Sequence, residues 1–269
     1  MWKPLFLAAI AVAAVSQAAS HGDENYNVKL WEPGKVPLAF SDGPLDQPFL
    51  TVFMPPENKR NGSAVVIAPG GSNIMLMYSA EGIEVAERFN DWGTAAFVLT
   101  YRLEPKYKEA ARVLDGNRAM RLVRSRAQEW KLDPNRIVFS GFSAGSSMAR
   151  AVAAAAGPGD PTAADPVDRY DSKPNFLLMV YGPGRASPNE NLKEFPPTFL
   201  LSAAADTGAA NGTAQFFLDM NKAGAVAELH IYQKGRHGFG AATTSPEFSP
   251  WMDSLHHFLK LGGFFGGSH

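Results

Sequence analysis

Short, uninterrupted apolar runs alternate with amphipathic stretches along most of this chain, and that alternation restricts the fold more than any other feature. Phe49 to Met54, Ala64 to Ala68, Ala95 to Thr100, Arg136 to Phe142, Phe176 to Tyr181, Thr198 to Ala203 and Glu228 to Tyr232 read as strands. Between them, apolar residues recur at helical spacing. Val85, Phe89 and Trp92 share one face, with Gly93 as a stop; Ala119, Leu122, Val123, Ala127 and Trp130 share another, ending at Asp133-Pro134. A further helix starts around Ser143, another carries Phe216, Phe217 and Met220, and a last one carries Trp251, Leu255 and Phe258. Strands apolar on both faces, alternating with helices, predict a mainly parallel sheet covered on both sides.

The 269 residues, 45% of them hydrophobic and 19% charged, suffice for one α/β domain with a large core and exclude a disordered chain. Catalytic-domain structure is expected over residues 49–261, after an extended Pro/Gly/Asp-rich lead-in over 19–48 and before a flexible tail over 262–269. A formal net charge of −1 offers no footprint for nucleic acid or an anionic membrane. Five arginines between Arg112 and Arg126 are interspersed with Glu109, Asp115 and Glu129, which predicts a solvated helix face. With no cysteine, disulfides, thiol chemistry and cysteine metal sites are excluded. No metal-ligand spacing is visible elsewhere, and no cofactor is expected.

Lys3, the apolar run Leu5 to Val15 and the small residues Ser16-Gln17-Ala18-Ala19 read as a secretory leader over residues 1–18, cut after Ala18 or Ala19. The apolar run falls short of the ~20 residues that a membrane-spanning helix needs. An exported protein, periplasmic or secreted, is expected, with no stable membrane insertion once the leader is removed.

Gly141-Phe142-Ser143-Ala144-Gly145 fits the G-x-S-x-G pattern, entered by an apolar strand and left by an Ala-rich helix. Glycines flank such a strained strand-to-helix turn because a Cβ at either position would collide with neighbouring elements, and the serine is left exposed above the sheet. A tight structural turn is the plain alternative; phosphate-loop spacing is absent. A serine nucleophile needs an imidazole base, which in turn needs a carboxylate. His237 is the histidine in a loop at the carboxyl end of a strand, in Gly235-Arg236-His237-Gly238-Phe239-Gly240. Asp206 ends the strand beginning near Thr198 and is the candidate acid, a helix-capping role being the lesser alternative for an aspartate there. Candidate oxyanion donors are the N–H of Ala144 and the turn Pro69-Gly70-Gly71-Ser72, with Gly70 and Gly71 letting the main chain approach a substrate.

Together with Leu30-Trp31-Glu32-Pro33-Gly34, Glu81-Gly82, Tyr101-Arg102-Leu103, Arg121-Leu122-Val123-Arg124 and Pro196-Pro197-Thr198-Phe199, these motifs resemble, in order, the acetylxylan-esterase-like branch of the α/β-hydrolases. These are exported bacterial carbohydrate esterases, and the similarity runs through nearly all of the chain after the leader. The resemblance implies an α/β-hydrolase fold with no large lid domain, a Ser143, Asp206 and His237 triad, and an oxyanion hole aided by Gly70-Gly71. Two departures stand out: Ser72-Asn73 replaces a third glycine and an aromatic, and Ala205-Asp206 replaces an Asp-Asp pair.

The expected activity is hydrolysis of short acyl esters, acetyl above all, on a soluble small-molecule, oligosaccharide or polysaccharide substrate. An exported peptidase, a lipase-like hydrolase using Ile74, Met75, Leu76 and Met77 as acyl pocket, and a non-catalytic binding member of the fold remain as alternatives.

Overall fold

The computed structural model describes residues 25–242 and 250–266. The expected leader, and with it His21, lies outside the described residues, as does His269. Eight strands form one sheet: β1 (Tyr26–Lys29), β2 (Phe49–Phe53), β3 (Ala64–Ala68), β4 (Ala95–Thr100), β5 (Ile137–Phe142), β6 (Phe176–Val180), β7 (Thr198–Ala203) and β8 (Ala227–Tyr232). Their spatial order is β1-β2-β4-β3-β5-β6-β7-β8. β1 and β2 pair antiparallel, as do β2 and β4, and every other pairing is parallel.

Successive residues of a strand face opposite sides, and with both faces covered the central strands β3, β5 and β6 are buried throughout. In β3, Val66 joins one core layer while Val65 and Ile67 join the other; in β5, Phe139 and Val138 divide in the same way. The first layer is closed by α2 (Glu109–Ser125), α3 (Ala127–Trp130), α4 (Ala144–Ala154) and α5 (Thr207–Ala223), through Met120, Trp130, Val152 and Phe216. The second is closed by α1 (Glu84–Asp91) and α6 (Pro250–Leu261), through Phe89 and Trp251.

Three parts of the chain differ from what the sequence suggests. The lead-in is not merely extended: its residues 26–29 form edge strand β1, and Leu30 and Trp31 are buried just beyond it. Asp46, also buried, receives Lys106 Nζ at 2.7 Å and Ser41 Oγ at 2.7 Å, which fastens the lead-in to the loop after β4.

The arginine-rich helix is not a solvated face. Arg112 and Arg118 are buried, and Arg118 reaches Leu30 O at 2.7 Å, Asp165 at 2.5 Å and Asp168 at 2.8 Å. Arg124 ties Pro134, Asp171 and Lys173 carbonyls together, and Arg126 pairs with Glu129. Beneath them Asp115 is fully buried and receives Arg102 through Nη2 at 2.7 Å, Nε at 3.0 Å and the backbone N–H at 2.9 Å. A buried carboxylate is tolerated only when its lone pairs are filled in this way.

The third difference is the tail. Residues 262–266 turn back after α6 and insert Phe264, fully buried, against Phe176 at a ring-centroid distance of 5.7 Å. Phe265 packs beside His256. No helix among the described residues is long and apolar enough to cross a membrane, and no cluster of potential metal ligands occurs among them.

Candidate active site

β5 runs into α4 through one residue, Ser143, whose backbone is held at φ 51° and ψ −116°. Such a conformation is costly for a residue with a side chain and persists only where its surroundings dictate it. They do so through close packing. A Cβ on Gly141 would lie 2.0 Å from Gly145 O, and one on Gly145 would lie 2.0 Å from Ala68 O, so both glycines are required for the turn to fit against β3. Ser143 N donates to Val180 O at 3.0 Å, anchoring the turn to β6 as well.

Loops from two other strand ends converge on this serine. His237, in the loop after β8, has Nε2 2.6 Å from Ser143 Oγ and Nδ1 2.5 Å from Asp206 Oδ2. A carboxylate can only accept, so Nδ1 carries the imidazole hydrogen and Nε2 is left to accept from the serine hydroxyl. Asp206 occupies the N-cap position of α5, yet its side chain makes no capping hydrogen bond and is spent on His237. The Asp206 carboxylate is 16% exposed and the imidazole 49% exposed, so the acid is shielded while the base faces the cleft. Among the other described histidines, His230 bonds Glu228 on the edge strand and His256 stacks on Phe265, both away from Ser143.

The three predicted oxyanion donors separate. Ala144 is the first residue of α4, so its N–H has no acceptor within the helix, and the residue lines the cleft beside Ser143. Gly71 has φ +130°, and a Cβ there would meet Met75 O at 2.3 Å; its carbonyl takes Ile74 N and Met75 N at 3.1 Å, which folds the following loop into a tight turn. Its N–H makes no hydrogen bond among the described residues. Gly70 is different. Its N–H donates to Glu81 Oε2 at 2.7 Å in a buried contact, and is therefore unavailable to a substrate. The glycine is needed for space instead, since a Cβ would lie 2.6 Å from Phe142 O and 2.7 Å from Ser143 Cβ.

The sequence assigns Glu81 no role, although the Glu81-Gly82 pair is part of the resemblance. It sits in a π turn, Ser79–Ile83, that leads into α1, and is 1% exposed. Its other oxygen, Oε1, accepts from Tyr181 Oη at 2.7 Å, and Tyr181 Oη accepts from Gly240 N at 3.0 Å. Burial pushes the Glu81 carboxyl above the usual carboxylate range, while the Tyr181 and Gly70 donors and the charge of His237 act in the opposite sense. The Tyr181 ring lies 4.9 Å from that of His237. A sequence signal exists only in retrospect: an acidic residue beside a glycine, just ahead of the amphipathic helix α1.

The cleft over Ser143 and His237 has a volume of about 360 Å³ and is walled largely by small residues, among them Gly182, Gly184, Gly208 and Ala209. No lid covers it among the described residues. A recess of about 30 Å³, also bordered by Ala144 and Ser147, lies between Asn73, Arg112, Val113 and Met148. Ile74, Met75 and Met77 do not line either space and are 61%, 54% and 43% exposed. Ile74 borders a separate apolar cleft of about 240 Å³ with Leu103 and Tyr107.

Residues 50–175 match the family model described as BD-FAE. An acetylxylan esterase of Xylanibacter ruminicola is 25% identical over 97% of this chain and 55% of its own length. An endo-1,4-beta-xylanase B of Butyrivibrio fibrisolvens is 29% identical over 48% of this chain and 20% of its own. This chain thus spans about half the length of the first of these curated relatives and one fifth of the second. Among solved structures, the acetyl ester-xyloside bifunctional hydrolase of Caldicellulosiruptor lactoaceticus superposes with a TM-score of 0.82 at 29% identity, covering 90% of this chain and 97% of that one. Thermogutta terrifontis esterase 2 superposes with a TM-score of 0.70 at 21% identity, over 91% of this chain and 97% of that one, which speaks for the shared fold. The chain has the α/β-hydrolase fold, and its resemblance is to the acetylxylan-esterase-like branch.

Proposed function

We propose that this chain is a serine carboxylic ester hydrolase that removes short acyl groups, acetyl above all, from a soluble carbohydrate ester. The observation that carries this reading is the continuous relay Asp206, His237, Ser143, with contacts of 2.5 and 2.6 Å and the serine open to the cleft. In the proposed reaction Ser143 Oγ attacks the ester carbonyl while His237 Nε2 takes its proton. Asp206 keeps Nδ1–H in place and balances the imidazolium charge. The tetrahedral oxyanion faces the N–H groups of Ala144 and Gly71, each such donor contributing about 3 kcal/mol to the transition state. Collapse of the intermediate breaks the ester C–O bond, and His237 returns the proton to the departing alcohol. Water, activated by the same imidazole, then releases the acid from Ser143.

Two features support the substrate class. The recess beside Ala144 has room for about two water-sized spheres, which suits an acetyl methyl better than a long chain. The main cleft is open and walled by glycines, which suits a bulky soluble alcohol such as a sugar, and the acetylxylan esterase and acetyl ester-xyloside hydrolase likenesses point to the same class. The leader expected over residues 1–18 would deliver such an enzyme to the periplasm or the medium, where these polymers are met.

The test is hydrolysis of aryl esters of increasing acyl length and release of acetate from acetylated xylan, by wild type and Ser143→Ala. Rates that fall steeply beyond propionyl and vanish in S143A are expected. Equal hydrolysis by both proteins would overturn the mechanism, and a preference for long acyl chains or for peptides would overturn the substrate class.

A further inference from the structure

Three active-site loops meet on one buried side chain. Glu81 Oε2 takes the N–H of Gly70 at 2.7 Å, next to the donor Gly71; Glu81 Oε1 takes Tyr181 Oη at 2.7 Å; and Tyr181 Oη takes the N–H of Gly240, three residues after His237, at 3.0 Å. The backbone repeats the connection, since Ala241 N donates to Ala80 O at 3.2 Å and a Cβ on Gly240 would lie 2.3 Å from that same oxygen. Tyr181 itself has φ 38°, and its N–H is held by Leu201 O at 2.7 Å, so the ring cannot drift without disturbing β7. Both carboxylate oxygens are thus occupied by donors that belong to catalytic loops, and the carboxylate touches neither Ser143 nor the cleft.

We infer that Glu81 is a positioning residue for the hydrolytic site: its two oxygens clamp the oxyanion turn to the His237 loop, so that donor and base keep a fixed separation. This rests on the ester-hydrolase reading above. The π turn over Ser79–Ile83 is the local device that makes it possible. Its wider loop, closed by Ile83 N to Tyr78 O at 2.8 Å, carries Glu81 beneath the glycine turn, while Gly82, whose Cβ would touch Val98 Cγ1 at 3.0 Å, lets the turn lie flat on β4. The physical reason for a carboxylate is its capacity. It can accept from an amide and a phenol at once, whereas a glutamine in its place would direct an N–H at one of two donors and leave it unpaired.

A buried carboxylate that only filled space would alter stability and leave the chemistry of the folded protein intact. Clamping instead predicts a loss confined to the transition state, because the oxyanion and the imidazolium exist only there. In Glu81→Gln, kcat for an aryl acetate should fall 10- to 100-fold with KM within about 3-fold of wild type. Tyr181→Phe cuts only the arm to Gly240 and should lower kcat by less, about 3- to 10-fold; the double variant should be no worse than about E81Q alone, as expected of groups acting as one unit.

Labelling of Ser143 by a fluorophosphonate gives a second readout that needs no ester substrate, and its rate should fall in parallel with kcat. A wild-type protein that is not labelled would sink the hydrolase reading itself. Labelling of wild type and E81Q at equal rates, in folded protein, would overturn the clamp alone, as would an E81Q effect seen only in KM. Should E81Q fail to fold, Y181F with unchanged kcat and unchanged labelling would overturn it.

Discussion

His237 Nε2 lies 2.6 Å from Ser143 Oγ across 94 residues of sequence, and the same ring is held on its far side by Asp206 Oδ2 at 2.5 Å. Asp206 makes no capping bond to α5, and among the described residues its carboxylate is hydrogen-bonded to His237. Asp206→Asn keeps the shape but offers Nδ1–H a weaker acceptor and allows the wrong tautomer. A fall in kcat of roughly 10³- to 10⁴-fold with little change in melting temperature is expected. Steady-state kinetics beside thermal melting decide it; a loss below 10-fold would mean that another group orients the imidazole.

The turn around Ser143 depends on absent side chains. Gly145→Ala puts a methyl 2.0 Å from the backbone oxygen of Ala68 in the central strand, where neither partner can yield, and should cost about 3 kcal/mol or prevent folding. Gly212→Ala, inside α5 with nothing within 4 Å of the added carbon, should instead raise stability by up to about 1 kcal/mol. Urea denaturation of both variants measures the contrast.

The pH dependence of stability should carry a signature of Glu81. Its burial raises the folded-state value above the ordinary 4.5. The folded chain therefore holds that proton more tightly than the unfolded chain, which favours folding below about pH 4.5, and this contribution is lost as pH climbs through the folded value. The groups facing the carboxyl are Tyr181, the Gly70 amide and, at longer range, His237. Melting temperatures of wild type and E81Q from pH 4 to pH 8 should differ progressively, with wild type losing ground as pH rises; a constant difference across that range would refute the assignment.

Phe264 belongs to the core. Its ring is fully buried against Phe176 and Phe265. Phe264→Ala should destabilise the protein by about 3–5 kcal/mol, the range for emptying a buried aromatic site. Chemical denaturation reads this directly, and a change under 1 kcal/mol would show that the turn after α6 is dispensable.

What the amino-acid sequence determined by itself follows from local physics. Apolar runs, helical spacing and the G-x-S-x-G turn depend on neighbours a few residues apart, so the parallel sheet, the strand-to-helix turn at Ser143 and the loop origin of His237 were legible. Asp206 was legible as a strand-end residue, but whether it caps α5 or orients His237 depended on a partner 31 positions away. The remaining decisions were tertiary in the same sense. Tyr26–Lys29 becomes a strand because β2 offers it an edge, and Arg118 is buried because the carbonyl of Leu30, 88 residues away, and two aspartates receive it. Gly70 and Gly71 look alike in sequence, yet only the fold brings Glu81 under the first and takes up its N–H. A backbone N–H has one proton to give, and which acceptor takes it is settled by packing between elements.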